Sequence, residues 1–180
     1  MKSLINPCVL TREHDRTQFD SGEKSLDHWL KRNATQNQKK GMCKVYVTTE
    51  NTSNKVVGYY ALAPSSVDHK DAPDSLKKGV ARHPIPTVLL ARLAVDKNYQ
   101  GTGTGEALLK DALLRMVSAA QEIGGRAILV HALNDNAVSF YKRYGFVNFE
   151  GDEEQNTMYI LIDDAVASLE EAGHEISKTG

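Results

Sequence analysis

The stretch that most constrains the fold is residues 88–118, where an apolar run, a glycine-rich turn and a helical pattern follow one another. Residues 88–95 are almost continuously apolar over a strand's length, which predicts a strand buried on both faces. Three glycines follow within Gln100-Gly-Thr-Gly-Thr-Gly105, and from Glu106 the apolar residues recur at helical spacing. A helix that begins at a glycine-rich turn exposes main-chain N–H groups, so this stretch predicts an anion-binding turn.

The glycine turn alone does not name a ligand. Its spacing is Gly-x-Gly-x-Gly, it lacks the lysine of a P-loop, and the next predicted strand ends in His131 instead of an acidic residue. Neither a P-loop nor a dinucleotide-binding fold is therefore indicated. Two interpretations stay open, a phosphate cradle and a tight connection between strand and helix.

Composition excludes several classes of protein. The 180 residues, 41% hydrophobic and 25% charged, are ordinary for one globular domain. No apolar stretch reaches the roughly 20 residues of a membrane span, and the N-terminus lacks the apolar segment of a signal peptide. Two cysteines and six histidines without ligand spacing predict neither a disulfide framework nor a metal site. We therefore expect a cytoplasmic protein without metal, and we expect the histidines to be surface or locally bonded residues.

Charge is distributed unevenly along the chain. Residues 1–148 carry 21 Lys and Arg against 14 Asp and Glu, whereas residues 149–180 carry one Lys against nine acids. A basic body with an acidic end suits a polyanionic partner. The alternative is an ordinary solvated surface with an acidic terminal helix.

Short strands and helices are predicted elsewhere, which makes the fold class α/β with a mixed sheet. The predicted strands cover residues 7–10, 43–49, 55–63, 126–130, 146–149 and 157–161. The predicted helices cover residues 21–40 with Asp20 or Ser21 as N-cap, 134–144 with Gly145 as C-cap, and 164–172. We expect one domain over residues 1–163 and an acidic tail over residues 164–180.

Turns and loops are predicted from proline, glycine and polar residues. Pro64-Ser65 is expected to end the second arm of a hairpin. Residues 65–86 are expected to form a basic loop with at most one helical turn near residues 74–78. A further turn is expected over residues 152–156.

Two motifs together resemble the GNAT superfamily of N-acetyltransferases. The glycine-rich turn is followed about thirty residues later by Asn134-x-x-Ala-x-x-Phe-Tyr141-x-x-Tyr144-Gly-Phe146. The resemblance implies a GNAT acyltransferase fold, a central mixed sheet flanked by helices, with the glycine-rich turn opening the helix after the central strand. It also implies that acetyl-CoA is the co-substrate.

The resemblance assigns roles to individual residues. Tyr141 matches the family's tyrosine near the thioester sulfur, where it would act on the departing thiolate; the alternative is a packing aromatic. Asn134 matches an asparagine that contacts pantetheine; the alternative is a helix N-cap. The remaining cofactor-binding residues are those of the strand end and the turn: Leu93, Ala94, Val95, Gln100, Gly101, Thr102, Gly103, Thr104 and Gly105.

A narrower resemblance is to the GNAT-type toxins of bacterial toxin–antitoxin modules. It is carried by Phe19-Asp-Ser-Gly-Glu-x-x-Leu-Asp-x-Trp-Leu30, by Asn37, by Ile85-Pro-x-x-Leu-Leu-Ala-Arg-Leu-Ala-Val-Asp96 and by His131-Ala-Leu133. It implies acetylation of the α-amino group of aminoacyl-tRNA, inhibition of translation, neutralisation by a ribbon–helix–helix antitoxin and a homodimer. One departure is Lys44, which stands where the family often has arginine and lacks its bidentate geometry.

Basic residues are the candidate RNA contacts. Arg92 lies within a buried strand, so it is expected either to contact the tRNA acceptor end or to form a salt bridge with Asp96 or the acidic tail. The other candidates would contact phosphates, and each is alternatively a solvated surface residue: Lys31, Arg32, Lys39, Lys40, Lys44, Lys77, Lys78 and Arg82.

The chemistry of an α-amino acceptor agrees with the lack of an obvious catalytic glutamate beside the central strand. An α-amino group has a pKa of about 7.7–8.0, far below the roughly 10.4 of lysine, so it needs little help from a base. Two other functions remain open: an acetyltransferase of a small amine or protein N-terminus, and a non-enzymatic CoA- or RNA-binding module.

Overall fold

The computed structural model describes residues 3–152 and 156–176. Among these residues, seven strands form one sheet in the order β1-β2-β3-β4-β5-β7-β6. The strands are β1 (Cys8–Val9), β2 (Lys44–Thr49), β3 (Val56–Val67), β4 (Ile85–Val95), β5 (Ala127–His131), β6 (Val147–Asn148) and β7 (Thr157–Leu161). The helices are α1 (Lys24–Arg32), α2 (Ala34–Lys39), α3 (Asp74–Lys77), α4 (Thr104–Ile123), α5 (Asp135–Arg143) and α6 (Ile162–Glu171). The predicted mixed α/β fold is confirmed.

Strand directions in the sheet are mixed. β1, β2 and β3 pair antiparallel, and β2 with β3 forms the predicted hairpin. β4 and β5 pair parallel, whereas β7 runs antiparallel to both β5 and β6. The parallel pair needs a long crossover, which α4 supplies.

The chain divides into two compact units. The first contains the chain up to Ala63 together with Ala91–Ala112, and its core includes Phe19, Leu30 and Tyr59. The second contains Pro64–Leu90 and the described residues from Leu113 onward, and its core includes Leu76 and Leu129.

The predicted single helix over residues 21–40 is wrong, because Asn33 separates α1 from α2. In a continuous helix the carbonyl of Leu30 would accept from the amide of Ala34. Here the Arg16 guanidinium donates to the Leu30 carbonyl at 3.3 Å and to Thr35 Oγ1 at 2.6 Å. An arginine from an earlier loop therefore replaces a helical hydrogen bond at the break.

The predicted N-cap at Asp20 or Ser21 is also wrong, because α1 begins after Glu23. Gly22 adopts a left-handed conformation with φ of +92°, which interrupts the helical path. The Ser21 hydroxyl and amide both donate to Asp27 Oδ1, at 2.6 and 3.0 Å. The polar side chains thus tie the preceding loop to the first turn from outside the helix.

Pro64 does not end the hairpin arm, since β3 continues to Val67. The β2–β3 register ends at Lys44↔Leu62, so the missing N–H of Pro64 removes no hydrogen bond to β2. The predicted loop over residues 65–86 is consequently shorter, and it contains a 3₁₀ turn (His69–Asp71) as well as α3. The helical turn predicted near residues 74–78 is confirmed as α3, but the limit of one turn in this loop is wrong because the 3₁₀ turn precedes it.

The C-terminal region agrees with the sequence in part. The strand predicted over residues 157–161 is confirmed as β7, and α6 packs through Ile162, Ala165 and Leu169. Most of the turn predicted over residues 152–156 lies outside the described residues. In the described part of the chain, no helix is long and apolar enough to cross a membrane.

Candidate active site

The segment between β4 and α4 is held by a buried carboxylate. Asp96 is 3% exposed, and its two oxygens accept from the amide of Asp20 at 3.1 Å and from the amide and side chain of Asn98 at 3.0 Å each. A buried carboxylate is costly unless it is hydrogen-bonded in this way. Asp96 therefore fixes the point at which the chain leaves β4 and enters the turn.

Gln100 braces the same segment. Its side-chain amide donates to the carbonyl of Ser21 at 2.8 Å and to the carbonyl of Val95 at 2.9 Å. Both amide hydrogens are thus used within the protein. Gln100 contributes to the turn by setting its shape.

The glycines of the turn have backbone conformations that other residues rarely adopt. Gly101 and Gly103 have φ values of +71° and +85°, and a Cβ at either position would meet no heavy atom within 4 Å. The space above them is open, so a ligand can approach the main chain closely. This arrangement fits a phosphate group held by N–H donors.

The helix α4 begins at Thr104, two residues earlier than the sequence predicts. Its first hydrogen bond is donated by the Ala107 amide to the Gly103 carbonyl at 3.0 Å. The Thr102 hydroxyl lies 2.9 Å from that of Thr104 and donates to the Tyr99 carbonyl at 2.5 Å. Since helix N-termini leave their first N–H groups unpaired, the turn and the first residues of α4 offer donors together.

The end of β4 extends past its parallel partner. The β4–β5 register ends at Leu90↔Val130, whereas β4 continues for five residues to Val95. Residues 91–95 include the predicted cofactor-binding segment of Leu93, Ala94 and Val95. A strand that outlasts its neighbour is suited to main-chain pairing with an extended ligand.

In the second unit, α5 is delimited by a cap at each end. The Asn134 side chain accepts from the Ala137 amide at 2.9 Å, which confirms the N-cap interpretation of this residue. At the other end Gly145 has φ of +90°, and the amides of Gly145 and Phe146 donate to the carbonyls of Lys142 and Tyr141. This is the Schellman arrangement, which requires a left-handed residue such as glycine.

Tyr141 combines a buried ring with a hydroxyl that no described residue hydrogen-bonds. The residue is 7% exposed, and its ring lies 5.3 Å from that of Phe140 and 5.5 Å from that of Phe146. The described residues offer no hydrogen bond to the hydroxyl. The buried side-chain polar atoms that lack a partner in the described residues are Thr87 Oγ1 and His174 Nε2, and they do not include this hydroxyl. The hydroxyl therefore reaches accessible space. Burial raises the pKa of Tyr141, so the phenol stays protonated at neutral pH.

Arg92 lies against an aromatic ring. Its guanidinium is 4.2 Å from the centre of the Trp29 ring, which stacks on Tyr59. The alternative of an ion pair with Asp96 is wrong, because the Asp96 oxygens bond to Asp20 and Asn98. Stacking satisfies a half-buried arginine and leaves its outer N–H groups available.

Four of the predicted RNA-contacting residues line a basic groove in the first unit. The groove comprises two concavities of about 610 and 650 Å³ that share Arg12, Arg16, Lys31 and Arg32, and the second also includes Lys39 and Lys40. The sequence pattern missed Arg12 and Arg16 because they precede the first helix in a segment without periodicity. Lys44 is exposed at the start of β2 and does not line either concavity.

The three remaining basic candidates lie in the second unit. Lys77 and Arg82 line a hollow of about 510 Å³ together with His69, Lys70 and His83. Lys77 also pairs with Asp74 at 3.6 Å. Lys78 is exposed outside this hollow, and its carbonyl accepts from Arg126 at 2.9 Å. The hollow is therefore basic, although its cations are fewer than those of the groove.

A family model described as the acetyltransferase (GNAT) domain matches residues 41–148. This range contains β4, the glycine turn, α4 and all of α5. The chain belongs to the GNAT acetyltransferase family. The resemblance noted from the two motifs is thereby confirmed.

This acetyltransferase is similar to a toxin and to a solved structure that involve tRNA. It is 48% identical to the tRNA-acetylating toxin of Mycobacterium tuberculosis over 146 residues, which cover 81% of this chain and 86% of that one. A solved structure of AtaT complexed with acetyl-methionyl-tRNAfMet is 30% identical with a TM-score of 0.83, covering 92% of this chain and 98% of AtaT.

A second solved structure shows a related toxin with other partners. It contains a tyrosine-to-phenylalanine mutant of the AtaT toxin bound to the C-terminus of the antitoxin AtaR and acetyl-CoA. It is 29% identical to this acetyltransferase with a TM-score of 0.76, and the match covers 91% of this chain and 96% of the other.

Within the described residues of this acetyltransferase, no group of three or more His, Cys, Asp or Glu side chains is placed to hold a metal ion. The structure brings together the turn residues from Gln100 to Gly105 and, separately, the basic residues of the groove. The catalytic and binding roles of these residues stay predictions.

Proposed function

We propose that this acetyltransferase is the toxin of a toxin–antitoxin module and transfers acetyl from acetyl-CoA to the α-amino group of aminoacyl-tRNA, which inhibits translation. The observation that carries the proposal is the 48% identity with a tRNA-acetylating toxin over 81% of the chain. A basic groove and a tyrosine hydroxyl without a hydrogen bond to the described residues are physical features that such a reaction needs.

The acetyl-CoA pyrophosphate is assigned to the glycine turn. Main-chain N–H groups of Gly101, Thr102, Gly103, Thr104 and Gly105 would hold its oxygens, with Gln100 bracing the turn. The pantetheine arm would pair with the main chain of Leu93, Ala94 and Val95 beyond the end of the β4–β5 register. Asn134, which is also the N-cap of α5, is proposed to contact the arm.

Tyr141 is proposed as the group that meets the departing thiolate. A thiol such as that of CoA resembles cysteine, with a pKa of about 8.5, which is below that of a phenol. Full proton transfer from Tyr141 to sulfur is therefore uphill, and burial raises the pKa of Tyr141 further. The tyrosine would stabilise the thiolate through an O–H···S hydrogen bond. It would give its proton to the sulfur only as it receives a proton from the nitrogen of the tetrahedral intermediate that forms when the amine attacks the thioester.

The bonds and protons balance without a further reactant. The amine nitrogen attacks the thioester carbonyl, the carbon–nitrogen bond forms, and the carbon–sulfur bond breaks with its electron pair on sulfur. An α-ammonium loses two protons in all: one reaches the CoA thiol by way of Tyr141, and one goes to solvent. Main-chain N–H groups at the end of β4 would stabilise the oxyanion.

The tRNA would be held mainly through its phosphates. The groove residues Lys31, Arg32, Lys39 and Lys40, joined by Arg12 and Arg16, would neutralise backbone charge without reading sequence. Arg92 is assigned to the acceptor end, where stacking on Trp29 presents its guanidinium. Lys44, Lys77, Lys78 and Arg82 are proposed as outlying phosphate contacts.

Partners and location follow from the same proposal. We expect a ribbon–helix–helix antitoxin, a homodimer, and action in the cytoplasm, where aminoacyl-tRNA is used. The related AtaT toxin has been solved with its antitoxin AtaR. We also propose that residues 1–163 form the acetyltransferase domain and that residues 164–180 are an acidic extension of it.

The proposal is tested by incubating the purified protein with labelled acetyl-CoA and either charged or deacylated tRNA, at low and at moderate salt. We expect label in charged tRNA only, and a rate that falls as salt rises because released counterions weaken binding. Label in small amines or peptides with none in charged tRNA would contradict the proposal and indicate an ordinary acetyltransferase. Equal rates at both salt concentrations would count against phosphate contacts.

A further inference from the structure

A chain of hydrogen bonds ends at the exposed imidazole of His131, the last residue of β5. His131 Nδ1 lies 2.9 Å from Thr157 Oγ1, and the Thr157 hydroxyl donates to a carboxylate oxygen of Asp152. Thr157 is buried, and it is the cross-strand partner of His131 in the β5–β7 register. The three side chains therefore form one connected polar network at the end of the strand pair.

The direction of these bonds fixes the tautomer of His131. A threonine hydroxyl has one hydrogen, and here that hydrogen goes to the Asp152 carboxylate, which can only accept. The contact with His131 must therefore be donated by Nδ1–H of the imidazole. In the neutral ring the lone pair then lies on Nε2, which makes no hydrogen bond among the described residues.

His131 lies at the carboxyl end of the parallel strand pair formed by β4 and β5. The last parallel pair of β4 and β5 is Leu90↔Val130, immediately before His131. In α/β sheets ligands bind beyond the carboxyl ends of parallel strands. The helix α5, which carries Asn134 at its start and Tyr141 within it, follows from the same end of β5.

We propose that His131 Nε2 is the general base that removes a proton from the α-ammonium group of the aminoacyl-tRNA, with Thr157 and Asp152 as positioning residues that hold the required tautomer. This inference rests on the proposed function. The ammonium proton moves to Nε2 and then to solvent, and the freed amine attacks the thioester. The remaining nitrogen proton reaches the thiolate by way of Tyr141, so no further reactant is needed.

The described neighbours of the imidazole include one linked carboxylate and apolar residues of the flanking strands. Asp152 is the charged group connected to it, by way of Thr157. Leu90 on β4 and Met158 on β7, which flank Val130, are apolar. On α5 the titratable and charged side chains are Asp135, Tyr141, Lys142 and Arg143.

A base that works on an ammonium group has a pH signature that a structural role lacks. At pH 6.0 only about 1–2% of an amine with a pKa of 7.7–8.0 is free, whereas at pH 8.5 most of it is free. Without the base only tRNA that binds with its amine already free can react, whereas the base lets the bound ammonium form react as well. Loss of His131 should therefore slow the reaction at least about tenfold at pH 6.0 and by no more than about threefold at pH 8.5.

The decisive variant is His131→Asn. Its amide nitrogen stands near the position of Nδ1 and can still donate to Thr157, but it offers no base in place of Nε2. Thr157→Val removes the hydroxyl that fixes the tautomer, and Thr157→Ser restores it. His28→Asn, at an exposed histidine of α1, is the matched control.

The measurement is kcat/KM for charged tRNA from pH 6.0 to 8.5, with the melting temperature of each variant recorded. We expect a pH-dependent loss in His131→Asn and Thr157→Val, and near-normal profiles in Thr157→Ser and His28→Asn. If the wild type is active and His131→Asn loses no activity, or loses the same factor at every pH, His131 is not the general base. A wild-type protein that leaves charged tRNA unlabelled overturns the proposed function, and the base with it.

Discussion

The glycine turn after β4 and the helix α5 both carry residues of the candidate site, but they present different kinds of atoms. The turn offers main-chain N–H groups, and its side chains serve to hold the main chain in place: Asp96 and Gln100 are bonded inward. In α5 both helix ends are capped, and the group proposed for chemistry is one side-chain atom, the Tyr141 hydroxyl oxygen.

The two regions should therefore respond differently to substitution. A site made of main-chain groups depends on backbone conformation, so most side-chain changes in the turn should alter acetyl-CoA binding only slightly. A site made of one hydroxyl depends on one atom, so its loss should affect the chemical step and leave binding nearly intact. Substitutions that disturb the main chain of the turn should therefore change acetyl-CoA binding, and loss of the Tyr141 hydroxyl should change kcat.

The largest effect is expected for Tyr141→Phe. The ring would keep its contacts with Phe140 and Phe146, so stability should change little. Loss of the hydrogen bond to the thiolate should lower kcat by about 10²–10⁴-fold, the usual contribution of acid–base catalysis. Steady-state acetyl transfer measures kcat and the KM for acetyl-CoA separately.

Tyr144→Phe is the matched control, because this tyrosine also lies edge-on to Phe140, with 5.1 Å between the ring centres. It should retain most of the wild-type kcat. Equal losses in the two variants, or a raised KM with unchanged kcat in Tyr141→Phe, would contradict the assignment of the chemical step to the Tyr141 hydroxyl.

The next effect is expected for Gly101→Ala. A Cβ at this position meets nothing within 4 Å, but a residue other than glycine is strained at φ of +71°. The strain is about 1–2 kcal/mol, so the binding conformation of the turn should be about 5–30-fold less populated. Calorimetry should show acetyl-CoA affinity reduced by that factor, with kcat at saturation close to wild type.

Gly79→Ala provides the same strain elsewhere, since Gly79 has φ of +73° and equally open space. Gly79→Ala should lower the melting temperature about as much as Gly101→Ala does, and it should leave acetyl-CoA affinity unchanged. If both variants lose affinity equally, general destabilisation explains the result and the main-chain cradle does not.

A smaller effect is expected for Gln100→Ala. The substitution removes two hydrogen bonds to the carbonyls of Ser21 and Val95. At roughly 1 kcal/mol for such a net loss, acetyl-CoA binding should weaken about fivefold while kcat stays unchanged. A kcat effect larger than the binding effect would show that Gln100 acts on the reaction and is more than a brace.

The smallest effect is expected in the basic groove. Lys39→Gln should leave the KM for acetyl-CoA unchanged and reduce the salt dependence of tRNA binding by about one unit of slope in log K against log salt concentration. Filter binding across a salt series measures this slope. Lys110→Gln, on the exposed face of α4, should leave the slope unaltered.

Much of the fold followed from local patterns. The sequence order of apolar strand, glycine turn and helix is what the structure has, and β7 begins and ends at the predicted residues. The errors occur where a distant group intervenes: Arg16 breaks the helix at Asn33, and the end of the β2 register allows β3 to pass through Pro64. Local periodicity contains no information about such contacts.

The candidate site was predictable to the extent that a motif encodes it. The Gly-Phe pair after α5 forms the cap that ends the helix carrying Tyr141, so motif and geometry have one physical cause. Arg12 and Arg16 were missed because their place in the groove depends on loop conformation. His131 was expected to be a surface or locally bonded residue, and its tautomer depends on Thr157 from another strand.

The most direct test of the proposed activity is the position of the acetyl label after the reaction with charged tRNA. Mild alkali hydrolyses the ester that joins the amino acid to the tRNA, and chromatography then separates the free amino acid from the RNA. We expect the label to be released as an N-acetyl-amino acid, and to be nearly absent with Tyr141→Phe. Label that stays with the RNA, or that appears only in the protein or a small amine, would contradict acetylation of the α-amino group.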